Sequence, residues 1–186
     1  MKGEIMFKAI KITTMVIGLF LVVTTVQSLI STKFQNLRLQ QYSGTSSITA
    51  AVRERQLACL ATNIYREAGN EPFEGKVAVA QVTLNRTQNP SFPSDVCGVV
   101  YEKTVIMQKV ICQFSWHCDT AVTRRPINAI AYDESMEVAK KVLLEGFRLS
   151  TMTTALYYHA DYIDPKWGKQ KVGKIGHHIF YNGRKA

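Results

Sequence analysis

Residues 12–31, Ile12 to Ser31, run for twenty positions without a charged side chain, directly behind Lys2, Lys8 and Lys11. A helix of about twenty apolar residues is what the hydrocarbon of a bilayer requires. The lysines in front keep the N-terminus on the cytoplasmic side and send everything downstream outward. The alternative, a buried core helix, fits poorly with a terminal position and a basic flank. This stretch therefore divides the chain: 1–31 reads as a membrane-targeting segment, 32–47 as a polar linker rich in Gln, Ser, Thr and Gly, and 48–186 as the domain that must fold around its own core. Thr13, Thr14, Gly18, Thr24, Thr25 and Gln27 make the span only weakly apolar, and Val26-Gln27-Ser28 offers the small residues a signal peptidase accepts. Two outcomes follow: a retained anchor facing the periplasm or cell wall, which we favour, or secretion after cleavage.

Export decides how the four cysteines are read. Cys59, Cys97, Cys112 and Cys118 all lie beyond the apolar span, and an even number of thiols in an oxidising compartment points to disulfides, with three pairings open. A zinc site built on Cys112, His117 and Cys118 lacks the usual ligand spacing and a second ligand pair, so neither metal nor cofactor is expected. The formal charge is +9, and residues 1–31, with Lys2, Lys8, Lys11 and Glu4, account for only +2 of it. The basic balance thus belongs to the domain and suits an anionic polymer: nucleic acid, acidic lipid, or a peptidoglycan carrying peptide carboxylates. Export and the scatter of the basic residues argue against nucleic acid.

Within the domain, Val52, Leu57, Leu60, Ala61, Ile64 and Ala68 recur at the steps of an amphipathic helix over 49–68, ended by Gly69 and Pro72. A second helix is predicted from Phe73 or Glu74 to Thr87, with Val77, Ala80, Gln81 and Leu84 on one face, broken by Asn89-Pro90. Pro93-Ser94-Asp95 caps a short helix through Tyr101, and Pro126 opens a longer one that stops at Gly146. The tail changes character: 153–159 and 174–181 are aromatic and β-branched runs, predicting two strands of a small antiparallel sheet. The expected fold is α+β, mainly helical, with the sheet at the C-terminal end.

Leu60, Ile64, Glu67 and Glu71 fall on one helical line, so a carboxylate continues the stripe that otherwise faces the core. Partial burial disfavours the charged form, and a carboxyl kept protonated near neutral pH can act as a general acid. The bland alternatives are an ion pair with Arg53 or Arg66, or exposure at a fraying helix end.

Those residues sit in a longer pattern, Cys59-Leu-Ala-Thr-Asn-Ile-Tyr-Arg-Glu67-Ala-Gly-Asn-Glu71-Pro72, continuing through Gly75, Gln81, Asn85 and Arg86. Further blocks follow in order: Phe92-Pro93-Ser94-Asp95, Gln113-Phe114-Ser115-Trp116, Ala155-Leu156-Tyr157-Tyr158-His159, Pro165-Lys166-Trp167 and Ile175-Gly176-His177-His178. Together they resemble the SleB/CwlJ-type cell-wall hydrolases across about residues 57–181. The resemblance implies a lysozyme-like domain that cuts the glycan strand of peptidoglycan, its partner. It places the acid on Glu67 and implies either a lytic transglycosylase, in which Glu67 serves as acid and then base, or a muramidase. The turn carries Gly69-Asn70 where many members have Arg-Gly, and Asn tolerates left-handed backbone angles.

A muramidase requires a second carboxylate, and Glu71, one turn on, is the candidate; its other reading is a brace for the Asn70-Glu71-Pro72 turn or a substrate contact. Trp116, Tyr157, Tyr158 and Trp167 offer aromatic planes to sugar rings, with burial in the core as the alternative. Gln113 and Ser115 are candidates for hydrogen bonds to acetamido or hydroxyl groups, against simple turn bonding. His159 and His178 flank the cleft or satisfy buried backbone groups. Three readings compete: a cysteine nucleophile paired with His159 or His178, a zinc-dependent stem-peptide amidase, and a non-catalytic peptidoglycan-binding anchor needing no acid at Glu67.

Overall fold

A computed structural model describes residues 15, 17, 18, 20–33 and 49–185. Met1–Thr49 and Ala50–Ala186 form separate compact units. In the first, residues 20–33 form a helix, α1. Its hydroxyls turn back on its own carbonyls: Thr24 Oγ1 donates to Leu21 O at 3.0 Å, Ser28 Oγ to Thr25 O at 2.9 Å and Ser31 Oγ to Gln27 O at 3.0 Å. Such internal bonding satisfies the polar groups that weaken the span. Among the described residues no helix is long and apolar enough to cross a membrane; the expected span 12–31 lies partly outside them, as does most of the expected linker 32–47.

The second unit is α+β and mostly helical, with α2 (Ala50–Ala68), α3 (Phe73–Thr87), α4 (Val96–Val100), a hairpin of β1 (Lys103–Ile106) and β2 (Lys109–Cys112), α5 (Ser115–Cys118), α6 (Thr120–Thr123), α7 (Ala129–Leu143), a 3-10 turn at Ser150–Met152, and β3 (Tyr157–Ala160), β4 (Lys169–Ile175) and β5 (His178–Lys185). The last three strands form an antiparallel sheet in the order β3-β5-β4.

The core is organised around α3. An amphipathic helix with one apolar face is the sequence expectation; instead every residue from Gly75 to Leu84 is buried. The reason is that α3 has two apolar faces. Val77, Ala80 and Leu84 join Leu57, Leu60 and Ile64 of α2 and Val138 and Val142 of α7, while Ala78 and Val82 meet Met152, Ala155 and Phe180 on the sheet side. The helix is thus a wall between bundle and sheet. On α2 the stripe is buried from Leu57 onward, but Val52, in the first turn, is 44% exposed.

Polar side chains on α3 then fix the chain entering β3. Gln81 exchanges hydrogen bonds with the backbone of Leu149, accepting from its N–H at 2.8 Å and donating to its carbonyl at 3.2 Å. Asn85 Nδ2 donates to Met152 O at 2.9 Å and Ala155 O at 2.8 Å, and Arg86 Nε donates to Leu156 O at 2.8 Å. Buried amides and a guanidinium persist only when so satisfied, and here their partners are backbone groups that set where Tyr157 and Tyr158 begin.

Several boundaries differ from expectation. The long helix opens at Ala129, not at Pro126, because Asn128 Oδ1 caps it by accepting from Ala131 N at 3.1 Å. Asp95 alone caps α4, accepting from Gly98 N at 3.0 Å. Residues 150–152 form a 3-10 turn, so the first tail strand starts at Tyr157, and part of the expected loop is itself β4. The β1–β2 hairpin carried no turn signal: its tight turn uses positive φ at Met107 and Gln108 rather than at Asn-Gly. Asn70 is not among the residues with positive φ, so its turn closes without a left-handed residue there. Cys59–Cys97 ties α2 to α4, and Cys112–Cys118 ties the end of β2 to α5, which resolves the three possible pairings.

Candidate active site

Glu67 lies in the last turn of α2, one residue before the helix ends. Its Oε2 accepts a hydrogen bond from the Tyr158 hydroxyl on β3 at 3.0 Å. Burial pushes the Glu67 carboxyl above its ordinary value, and the Tyr158 hydrogen bond and the charge of Arg86 pull it only partly back. Neither Arg53 nor Arg66 pairs with it: among the described residues Glu67 forms no salt bridge, so the ion-pair alternative does not hold. A helix C-terminus, with its partial negative charge, is itself unfavourable for an anion.

Two cavities border this carboxyl, one of about 510 Å³ and one of about 390 Å³, and Glu67 is the described residue that lines both. The smaller is the aromatic side. Tyr157, Tyr158, His159 and Trp167 line it, together with Gln113 and Ser115. His159 is held on both sides: Nδ1 lies 2.9 Å from Ala160 O and Nε2 lies 3.0 Å from the Tyr181 hydroxyl. A proton on Nδ1 donated to the carbonyl leaves Nε2 to accept from Tyr181. The ring also stacks on Tyr181 at 5.3 Å and meets Trp167 edge-on at 5.5 Å. Trp116 is absent from this lining; it is 7% exposed, in the core, and its indole N–H donates to Asn63 Oδ1 at 3.1 Å. Its burial follows from Asn63, itself bonded to Thr83 on α3, which offers the one polar partner an indole requires.

Arg86 is the site residue that sequence reasoning passed over. It closes α3, is buried, and lines the aromatic cavity with Glu67. Its guanidinium lies 5.3 Å from the ring of Phe92, 5.2 Å from Phe114 and 5.9 Å from Tyr157. With the Gln113 amide turned so that its oxygen faces the guanidinium, Gln113 accepts from Nη1 at 3.1 Å and Nη2 at 3.3 Å. Burial lowers the Arg86 pKa, yet a guanidinium stays charged across the working pH range. The available signal was an arginine ending an otherwise apolar helix, inside a block already singled out.

The larger cavity contains Glu71, His177 and His178. Glu71 Oε2 accepts from the backbone N–H of His177 at 3.0 Å, and Oε1 lies 3.2 Å from His177 Nδ1. The carboxylate thus clasps the tight β4–β5 turn. Gly176 there has φ +55°, and a Cβ on it would stand 1.8 Å from Glu71 Oε2, so no side chain fits. His178 Nδ1 is 3.8 Å from Glu71 Oε1, too far for a hydrogen bond, and has no hydrogen-bond partner among the described residues. Its ring packs edge-on against Tyr158 at 5.1 Å, and burial lowers its pKa.

Two competing chemistries lose their reagents. The thiol nucleophile reading needs a free cysteine, and all four are in disulfides. Cys112 and Cys118 of the zinc reading are joined to each other.

A mostly helical domain with a small antiparallel sheet, and a buried carboxyl at a helix end in a two-sided cleft, is the setting in which likeness to known proteins falls. A profile of the cell wall hydrolase family matches residues 70–181, beginning just beyond Glu67, and the chain belongs to that family. The spore cortex-lytic enzyme of Bacillus subtilis (strain 168) is 34% identical over 125 residues, 65% of this chain and 35% of that protein. That of Bacillus cereus (strain ATCC 14579) is 34% identical over 131 residues, 68% of this chain and 44% of its own length. This chain therefore spans less than half of these relatives. The crystal structure of the catalytic domain of Bacillus cereus SleB superposes with a TM-score of 0.51 at 29% identity, covering 69% of this chain and 91% of that one. The catalytic domain of the germination-specific lytic transglycosylase SleB from Bacillus anthracis gives 0.50 at 30% identity, covering 68% and 93%.

Proposed function

We propose that this domain cleaves the glycan strand of peptidoglycan between N-acetylmuramic acid and N-acetylglucosamine as a lytic transglycosylase, with Glu67 as its lysozyme-like acid and base. The observation that carries the reading is that, among the described residues lining the two cavities, Glu67 is the carboxyl that keeps one oxygen out of the hydrogen bonds described, its other accepting from Tyr158. The other one lining either cavity, Glu71, has both oxygens engaged by His177. A retaining or inverting hydrolase uses a second carboxylate as nucleophile or as base for water. One acid suffices when the muramic acid supplies its own hydroxyl. The name of the solved Bacillus anthracis relative agrees with this choice.

In the first step the protonated Glu67 gives its proton to the bridging oxygen as the glycosidic bond breaks. The carboxylate so formed is stabilised by the Tyr158 O–H and the nearby Arg86 charge. It then takes the proton from the muramic acid hydroxyl as that oxygen closes on the anomeric carbon. The products are an anhydro-muramic end and a free N-acetylglucosamine end; no water is consumed and Glu67 returns protonated. Tyr157, His159 and Trp167 supply faces for the sugar rings, and Gln113 and Ser115 supply hydrogen bonds. Glu71 acts as the brace of the β4–β5 turn.

Mass spectrometry of peptidoglycan digested by the protein tests this directly. Anhydro-muramic products are expected. Reducing ends mean hydrolysis, released stem peptides with intact glycan mean an amidase, and binding without products means an anchor.

The uncharged stretch 12–31 behind three lysines supports export, with a retained membrane anchor and the domain facing the periplasm or wall. Fractionation should leave the full-length chain in membranes after an alkaline wash; recovery of a shortened soluble form would replace the anchor with a cleaved signal.

A further inference from the structure

The larger cavity has a chemistry the transglycosylase reading does not use. Arg66, on α2 immediately before Glu67, and Arg125, next to Pro126, both line it. Among the described residues neither forms an ion pair. Arg66 Nε is buried with no hydrogen-bond partner among the described residues, its guanidinium lying 5.2 Å from the centre of the Tyr65 ring. A buried guanidinium N–H without an acceptor is costly to leave unmade. The carboxyls of the same cavity are turned onto other partners: Glu67 Oε2 meets the Tyr158 hydroxyl, and both Glu71 oxygens meet His177. The two cavities that flank Glu67 are thus chemically unlike, one walled by rings and enclosing a well-partnered Arg86, the other presenting unpaired guanidinium groups.

We infer that the Arg66–Arg125 lobe is a carboxylate-binding subsite that seats the acidic branch of an N-acetylmuramic acid residue. The inference rests on the glycan-cutting reading for its placement. In a strand of alternating sugars only the muramic residue bears carboxylates, through its lactyl arm or the stem peptide attached to it, and guanidinium is the side chain whose paired donors match a carboxylate. Reading that branch beside Glu67 sets the register of the strand, so that one of its two kinds of glycosidic oxygen meets the acid.

Calorimetric titration of the full chain tests this with four soluble disaccharides of N-acetylglucosamine and N-acetylmuramic acid: one bearing a stem peptide, one with the free lactyl carboxylate, and the amidated form of each. The wild type is expected to bind a charged disaccharide about tenfold more tightly than its amide, and whichever charged form shows the difference locates the carboxylate. In Arg66→Gln with Arg125→Gln the difference should vanish while the amides bind as before. Equal affinity of the wild type for charged and amidated forms would overturn the subsite, as would a variant that weakens both forms alike. The same preparations, assayed for glycan cleavage, keep the two readings separate: absence of cleavage removes the transglycosylase and leaves the binding result standing.

Discussion

The phenolic hydroxyl of Tyr158 donates to Oε2 of Glu67 across 3.0 Å, joining the first strand-like run of the tail to the end of the first domain helix, 91 residues apart. This bond favours the ionised carboxyl, while burial favours the protonated one and prevails. Burial and the Tyr158 hydroxyl thus act on Glu67 in opposite senses, which is what the proposed acid-then-base role requires.

Replacing Glu67 by Gln removes the donor without changing the shape of the site. Glycan cleavage is expected to fall by roughly 10²–10⁴-fold, measured as the rate of muropeptide release, with the folded structure retained. Full activity in this variant would take the acid role away from Glu67.

The same variant has a stability signature. Because the folded-state pKa of Glu67 is raised, the folded protein binds more protons than the unfolded chain between the two values. Stability from this group is full below the ordinary carboxylate range and declines as pH rises through the raised value. Glu67→Gln should thus gain Tm relative to wild type as pH increases from about 4 to 8, and thermal scans across that range check the sign.

Tyr158→Phe deletes the bond that lowers the Glu67 pKa, so the basic limb of the pH–rate profile should move upward. The rate at the optimum should drop by about tenfold, the worth of a hydrogen bond to a charged group. A basic limb that stays in place would mean that another group sets it.

Glu71→Gln separates the brace from a second catalytic carboxylate. Since both Glu71 oxygens meet His177, the change should cost about 1–3 kcal/mol of stability, seen in denaturant melts, while most cleavage activity survives with unchanged anhydro products. A loss as deep as that of Glu67→Gln would make it a catalytic partner.

Removing Cys59–Cys97 by paired Ala substitution should destabilise the domain by about 2–4 kcal/mol, because it cross-links α2 to α4 over a separation of 38 residues. Cys112–Cys118 closes a separation of only 6, and its loss should act mainly on substrate affinity, through Gln113 and Ser115 beside it. KM measured for the two double variants separates these effects.

Local pattern alone located α2, α3 and, in the tail sheet, β3 and the start of β5, since periodicity and turn residues are local properties. It misread α3 as one-faced because Ala and Val on its second face carry no polar contrast; only the sheet packed against Ala78 and Val82 shows that both sides are buried. The β1–β2 hairpin was illegible for a related reason, as Met107 and Gln108 adopt backbone angles their chemistry does not announce.

For the site, the sequence by itself determined the identity of the acid candidate: a carboxyl on an apolar line near a helix end, in blocks that resemble a wall-cutting family. It also marked the four cysteines as disulfide material; Glu71 it read as a brace of its own Asn70-Glu71-Pro72 turn, whereas in the fold the carboxylate holds His177 on the β4–β5 turn, 106 residues away. Only the tertiary structure decided which cysteines pair, that Trp116 belongs to the core, and that Arg86 stands beside Glu67. These are matters of distance between segments far apart in the chain. The pKa of Glu67 belongs with them, because burial in the folded domain raises it and the groups that partly lower it, Tyr158 on β3 and Arg86 on α3, lie outside α2.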